Sequence, residues 1–186
     1  MADAIIRLAT TNDVPEIMKL ESRYFIGNVP NPKSGEGFVS ILHARAWFDS
    51  AINYGGLHVA VRDDDSIVGF MAITPPPTIE VGLSPVIAAM CNLADQLKFD
   101  GIPIGKQSYA FRGPVLIDKS ARGQGLYPAF NRICHDLYRD RYDIGVLFVA
   151  SANPRSLHTT TTKLGATVLT EFEVDEQRYH FLAFRC

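Results

Sequence analysis

The stretch Val115-Leu-Ile-Asp-Lys-Ser-Ala-Arg-Gly-Gln-Gly-Leu-Tyr-Pro-Ala-Phe130 carries an apolar run into a turn with two glycines and straight on into a helical pattern. A strand, a tight loop and a helix N-terminus thus follow one another. The first four N–H groups of a helix lack intrahelical acceptors and sit at the positive end of its dipole, so this junction suits an anion, above all a phosphate. Gly123 and Gly125 permit positive φ and close backbone approach, and Arg122 adds a fork of donors. Pro128 falls in the first turn, where its missing N–H costs little.

Downstream, Leu126, Ala129, Phe130, Ile133, Cys134 and Leu137 form the clearest helical stripe in the chain, and the continuously apolar Ile144–Ala150 reads as a strand buried on both faces. A helix of that length is a crossover, which makes this strand parallel to the one before it and Tyr109–Ala150 a βαβ unit. The strand Tyr109–Ile117 contains Gly113-Pro114, which predicts a bulge or break that frees backbone groups for a ligand. Before it, Thr78–Gln107 holds a helical stretch, Pro85 to about Leu97, and reads as an insertion between strands.

Closer to the N-terminus, Leu57–Arg62 and Ile67–Ile73 flank Asp63-Asp64-Asp65-Ser66 and predict an antiparallel hairpin, ended by Pro75–Pro77. Ile5–Ala9 reads as a strand. Thr10-Thr11-Asn12-Asp13 supplies N-cap chemistry for a helix with Val14, Ile17, Met18 and Phe25 on its apolar face, Glu16 completing a capping box with Asp13. Asn28–Gly37 is a loop, and Phe38 to about Ile52 a second helix. At the other end, Asn153 starts a short helix that stops at Gly165, and Val168–Phe172 and Arg178–Phe184 make a closing hairpin around Asp175-Glu176.

The chain of 186 residues fits one domain spanning 1–186, and 18 basic against 20 acidic side chains leave a net charge of −2. Neither nucleic acid nor an anionic membrane is called for. Cys91, Cys134 and Cys186 lack metal-site spacing, the histidines show no ligand grouping, and no run reaches membrane-spanning length, so the expectation is a cytoplasmic protein with free thiols and no metal.

Three phosphate-cradling patterns compete for the loop. No G-x-x-x-x-G-K-[S/T] exists, and the dinucleotide fingerprint is met only in its first two glycines, with Pro128 where the third would stand, so a nucleotide-dependent oxidoreductase has little support. The third, Q/R-x-x-G-x-G/A, reads Arg122-Gly-Gln-Gly125-Leu-Tyr127 and resembles the acyl-CoA pyrophosphate loop of the GNAT superfamily of N-acetyltransferases. Ile117–Gly125 resembles that family's strand-to-loop stretch, and Asn153-Pro-Arg-Ser-Leu through Lys163-Leu-Gly-Ala166 its second cofactor motif. The order of elements agrees over nearly the whole chain outside Thr78–Gln107.

The resemblance implies an α/β (α+β) fold: a central mixed, mostly antiparallel six- to seven-stranded sheet with helices on both faces and a helical insertion before the fourth strand. It implies acetyl-CoA or CoA held along Leu116 and Ile117 and by the backbone of Arg122, Gly123, Gln124, Gly125, Leu126 and Tyr127, with Asn153 and Ser156 as further contacts. The Ile117 N–H would polarise the thioester carbonyl for direct attack by a neutral amine. Glu36, His43 and Tyr109 are the candidates for a general base. Two departures stand out: Tyr127 occupies the last Gly/Ala position of the loop, and Thr161 stands where many members have a tyrosine that protonates the thiolate. Asn153–Gly165 is also one residue longer than the usual spacing, which predicts a bulge.

The acceptor region would be Tyr24–Trp47 with about Phe172–Tyr179, and the aromatic residues there with Glu36 favour a small amine. The apolar stripe of the insertion needs a partner surface, as a cover over the acceptor mouth or a contact between two copies. The expectation is therefore an acyl-CoA-dependent N-acetyltransferase acting on a small amine, the rival being a non-catalytic acyl-CoA-binding or sensing module.

Overall fold

The computed structural model describes residues 4–30, 37–77 and 83–186. In chain order the elements are β1 (Ile5–Leu8), α1 (Val14–Arg23), α2 (Arg45–Asn53), β2 (Leu57–Val61), β3 (Ile67–Thr74), α3 (Pro85–Ala94), β4 (Lys98–Phe99), β5 (Ile102–Pro103), β6 (Tyr109–Ile117), α4 (Leu126–Tyr138), β7 (Ile144–Ala150), α5 (Pro154–Thr159), β8 (Thr167–Val174) and β9 (Gln177–Arg185). Seven strands form a mostly antiparallel sheet in the order β1-β2-β3-β6-β7-β9-β8, flanked by helices, and β4 and β5 make a separate small hairpin.

Packing divides the chain into two units. The first comprises Met1–Pro30, Phe38–Thr74 and Gly113–Ile133, the second Asn31–Gly37, Pro75–Arg112 and Cys134–Cys186. Each has its own core. In the first unit the inner face of α1 (Val14, Ile17, Leu20) and α2 (Phe48, Ala51) close over Leu57, Val59, Phe70, Ala72 and Leu116. β2 is buried along its whole length, as a strand covered on both faces must be, which explains its apolar composition.

In the second unit Met90 and Ala94 of α3 pack with Phe111, Ile144, Val146, Phe181 and Ala183. The apolar stripe of the expected insertion thus finds a partner surface in its own chain. β6 and β7 pair in parallel at Tyr109↔Ile144, Ala110↔Gly145 and Phe111↔Val146, the arrangement expected for the βαβ unit. The closing hairpin turns at Asp175 and Glu176, both with positive φ (51° and 62°) between the paired Val174 and Gln177, which is the type I′ geometry that follows the twist of the strands.

Several expectations are corrected. α2 begins at Arg45 rather than near Phe38, because Val39 instead exchanges backbone hydrogen bonds with Tyr24 and Ile26. The capping box at α1 does not form: Asp13 accepts from Arg7 and from the N–H and hydroxyl of Thr10, and Glu16 accepts from the N–H of Ile67. β6 continues as one strand through Gly113-Pro114, but its parallel pairing with β7 ends at Phe111, so the expected break in the ladder falls just before the proline. On α4, Leu137 is 51% exposed and Tyr138 takes the buried place, and α3 ends at Ala94 rather than Leu97.

The extra residue in the fifth helix is visible as a π-helical turn, Thr160–Leu164, ending on Gly165 at φ +76°. The hydroxyls of Thr161 and Thr162 donate to the carbonyls of Leu157 and His158. Threonines, poor in an ordinary helix, here supply bonds where the backbone ladder is distorted.

Candidate functional site

The Arg122 loop lies wholly in the first unit, between the end of β6 and α4. The Asp118 N–H donates to the carbonyl of Val68, so β3 steers the chain out of the strand. Asp118 then caps a 3₁₀ turn over Lys119–Ala121, accepting from the N–H (2.9 Å) and hydroxyl (2.6 Å) of Ser120. Burial opposes its charge, but the bonds from Ser120 and Arg23 outweigh it and hold the carboxyl below the usual carboxylate range.

The last turn of α1 fastens this loop. Arg23 Nη1 is 2.8 Å from Asp118, the Tyr24 hydroxyl accepts from the Lys119 N–H at 2.7 Å, and the Tyr24 ring lies 5.2 Å beneath the Arg122 guanidinium. Arg122 Nε in turn donates to the carbonyl of Ile117 at 3.0 Å, so the side chain expected to reach for phosphate also ties the two ends of the loop together. Arg62 holds Ser120 from a third side. The backbone beyond is left available: no described residue accepts from the N–H groups of Gly123, Gln124, Gly125 or Leu126. Gly123 and Gly125 have φ of +79° and +81°, and a side chain at either would touch nothing within 4 Å. Backbone conformation, with no crowding to contribute, therefore requires glycine there.

Glu21, on the same turn of α1, is 1% exposed. Its Oε2 accepts from the backbone N–H of His43 at 3.0 Å and its Oε1 stands 2.7 Å from His43 Nδ1. The His43 ring stacks on Trp47 at 3.9 Å between centroids and meets Phe48 edge-on at 5.9 Å. Sequence reading singled out His43 but passed over Glu21. The signal was there, since Glu21 sits seven residues after Val14 and four after Ile17, on the buried stripe of α1.

The other expected residues belong to the second unit. Asn153, 5% exposed, caps α5 by accepting from the N–H of Ser156 at 3.2 Å. Tyr109 opens β6, and burial, with Cys91 and Asp95 adding to it, raises its phenol, which keeps it protonated. Glu36 lies outside the described residues. Burial also raises all three free thiols, Cys186 up to about 12, so none offers a thiolate near neutral pH. Among the described residues no group of three or more His, Cys, Asp or Glu side chains is placed to hold a metal, and no helix is long and apolar enough to cross a membrane.

No family model and no curated protein matches the sequence. Solved structures do match in fold. A chain of the NatC complex bound to Gag peptide and CoA superposes with a TM-score of 0.66 at 12% identity, covering 99% of both chains. NAA60 of Arabidopsis thaliana, in complex with a bisubstrate analogue, gives 0.65 at 13% identity over 98% of this chain and 97% of its own. The protein yncA of Salmonella typhimurium, with its cofactor acetyl-CoA, gives 0.62 at 15% over 98% and 94%. The fold is that of the GNAT acetyltransferases.

Proposed function

We propose that this protein is an acetyl-CoA-dependent N-acetyltransferase that acts on a primary amine. The observation that carries this reading is the row of N–H groups at Gly123–Leu126, left without acceptors at the start of α4 in a fold shared with proteins solved with CoA or acetyl-CoA. The residues fit the group: Gly123 and Gly125 adopt positive φ with open space where a side chain would stand, and Arg122 is already fixed beside them by Ile117 and Tyr24. Bound there, acetyl-CoA supplies an acetyl group activated as a thioester.

The chain's own residues do the remainder. Gly123 to Tyr127 bind pyrophosphate through their amides, and Leu116 and Ile117 present backbone to the pantetheine arm as an added strand would. The Ile117 N–H would donate to the oxygen on which charge develops when the amine attacks. A small amine is the acceptor that the aromatic residues Tyr24, Phe25 and Phe38 favour.

Titration calorimetry with CoA and acetyl-CoA tests the binding half, and release of free thiol on mixing with an amine panel tests transfer. Gly125→Glu places an anionic side chain in the cradle at a φ that it tolerates poorly, and should abolish CoA binding while the protein stays folded. Unchanged affinity in that variant removes the proposal. A second reading, a module that binds acyl-CoA without transfer, is favoured by Thr161, whose hydroxyl is turned back onto Leu157 and His158 of its own helix. Binding with no thiol release across the panel would favour it.

A further inference from the structure

We propose that His43, held by Glu21, is the general base that deprotonates the acceptor amine, an inference that rests on the transfer reading above. An amine is largely ammonium near neutral pH, so direct attack on a thioester needs a group to take its proton. Among the described residues of the first unit, one pair is built for this.

Glu21 is a carboxylate buried to 1% exposure with an oxygen on each side committed, one to the backbone N–H and one to the ring Nδ1 of the same histidine. Burying a carboxylate is costly unless it is paired and fully bonded, and here both partners come from His43. A carboxylate oxygen 2.7 Å from Nδ1 is an acceptor, so it favours the tautomer that carries the ring proton on Nδ1 and leaves the lone pair on Nε2. Nε2 makes no hydrogen bond to any described residue, and the His43 side chain is 14% exposed. The ring packs against Trp47 at 3.9 Å between centroids and meets Phe48 edge-on at 5.9 Å, contacts that oppose its rotation. A buried acid, an oriented imidazole and its second ring nitrogen make up the base-and-orienter arrangement of many hydrolytic sites, without a nucleophile of the protein's own.

The dyad also lies against β6. Trp47, the ring against His43, lies over Gly113: a Cβ placed there would come within 3.6 Å of Trp47 Cη2 and 3.3 Å of Ala72 Cβ. Trp47 therefore stands at van der Waals distance from β6 at Gly113, beside Pro114, which has no N–H to give a neighbouring strand. Dyad and wall thus adjoin the strand that carries Ile117. Of the charged groups on the packed elements, Glu21 faces the ring from α1, on which Glu16 accepts from the Ile67 N–H, Arg23 pairs with Asp118 and Lys19 is the remaining charge, while Arg45 and Asp49 of α2 pair with each other at 3.5 Å.

Nε2 takes one proton from the ammonium and later gives it to solvent. The neutral nitrogen forms a bond to the carbonyl carbon, the carbon–sulfur bond breaks, and the second proton lost from nitrogen ends on the departing thiolate. His43 is the catalytic residue and Glu21 a positioning residue.

The experiment compares wild type with His43→Gln, which keeps a donor toward Glu21, and with Glu21→Gln and His43→Ala. Each is first checked for fold and for acetyl-CoA affinity by calorimetry, then assayed for thiol release with an amine panel and with hydroxylamine, which is uncharged at neutral pH. Expected are unchanged affinity for acetyl-CoA, a fall in kcat of about 100-fold or more for His43→Gln with the protonated amines, and a smaller fall for Glu21→Gln. The acidic limb of the pH profile should be lost, the defect should be far smaller with hydroxylamine, and added imidazole should partly restore His43→Ala. If acetyl-CoA binds and every amine fails in wild type, the transfer reading and the base fall together. If wild type turns over while His43→Gln keeps its rate within twofold and its pH profile, the role of His43 alone is overturned. A defect equal for charged and uncharged acceptors also overturns it.

Discussion

Asp13 was read as half of a capping box and is instead the anchor that joins β1 to α1. It accepts two hydrogen bonds from Arg7, at 2.7 and 2.9 Å, and two more from Thr10. The Arg7 bond chiefly, helped by Thr10 and opposed by burial, lowers its carboxyl from 3.8 to about 2. A folded value below the unfolded one means that the linked stability is complete above the unfolded value and disappears as pH falls toward about 2. Arg7 is 41% exposed, so solvent screening reduces the effect to about 1 kcal/mol. Asp13→Asn should be less stable than wild type by that amount at pH 6, and the difference in urea midpoint should close between about pH 4 and pH 2. A gap that persists at the acid end would mean that shape, rather than charge, holds this corner. The contrast with Glu21 is instructive, because sequence shows a carboxylate's spacing but not its partner. Which arginine or histidine reaches it is decided by elements far along the chain.

At the scale of elements, local chemistry was the better guide where it left the backbone little choice. Two glycines in sequence with a helix start predicted the loop, and both occupy the left-handed region. The β8–β9 turn was placed correctly around Asp175-Glu176, yet neither residue is the usual choice for positive φ. Replacing the pair with Asn-Gly should therefore raise stability by about 1 kcal/mol, read as a higher urea midpoint with an unchanged slope. No gain would show that the turn is not under backbone strain. The fifth helix was legible as one residue too long, and its threonines as poor helix formers. That the two anomalies answer each other, hydroxyls bonding the carbonyls of a π turn, appears only with the hydrogen bonds in view. The second helix was overextended because the spacing of Ile41, Leu42 and Ala46 is helical, while Val39 is drawn into backbone pairing with Tyr24 and Ile26 before a helix can form.

For the molecule as a whole, the two cores raise the question of how many cooperative units the chain contains. β6 contributes Tyr109–Arg112 to one unit and Gly113–Ile117 to the other, and α4 likewise runs through both. Such shared elements cannot melt halfway, so a single domain with one unfolding transition is the expectation. Met90 is fully buried in the second core, and Met90→Ala should cost about 2–5 kcal/mol and lower Tm by roughly 5–15 °C in one transition. Calorimetry resolving two transitions would divide the chain into two domains.

By itself the sequence determined the order of elements and the strand, loop and helix start around Arg122–Tyr127, since each rests on interactions among near neighbours: hydrophobic period, glycine φ and helix termini; the class of fold followed from the resemblance those motifs carry. Tertiary structure alone decided what those elements hold. It turned the Arg122 side chain back to Ile117 and Tyr24, packed α3 into a core of its own chain, and brought Glu21 of α1 against His43, 22 residues later. These pairings join residues whose separation in sequence carries no periodic signal, and they form because a buried charge must find its partner wherever the packed chain has placed one.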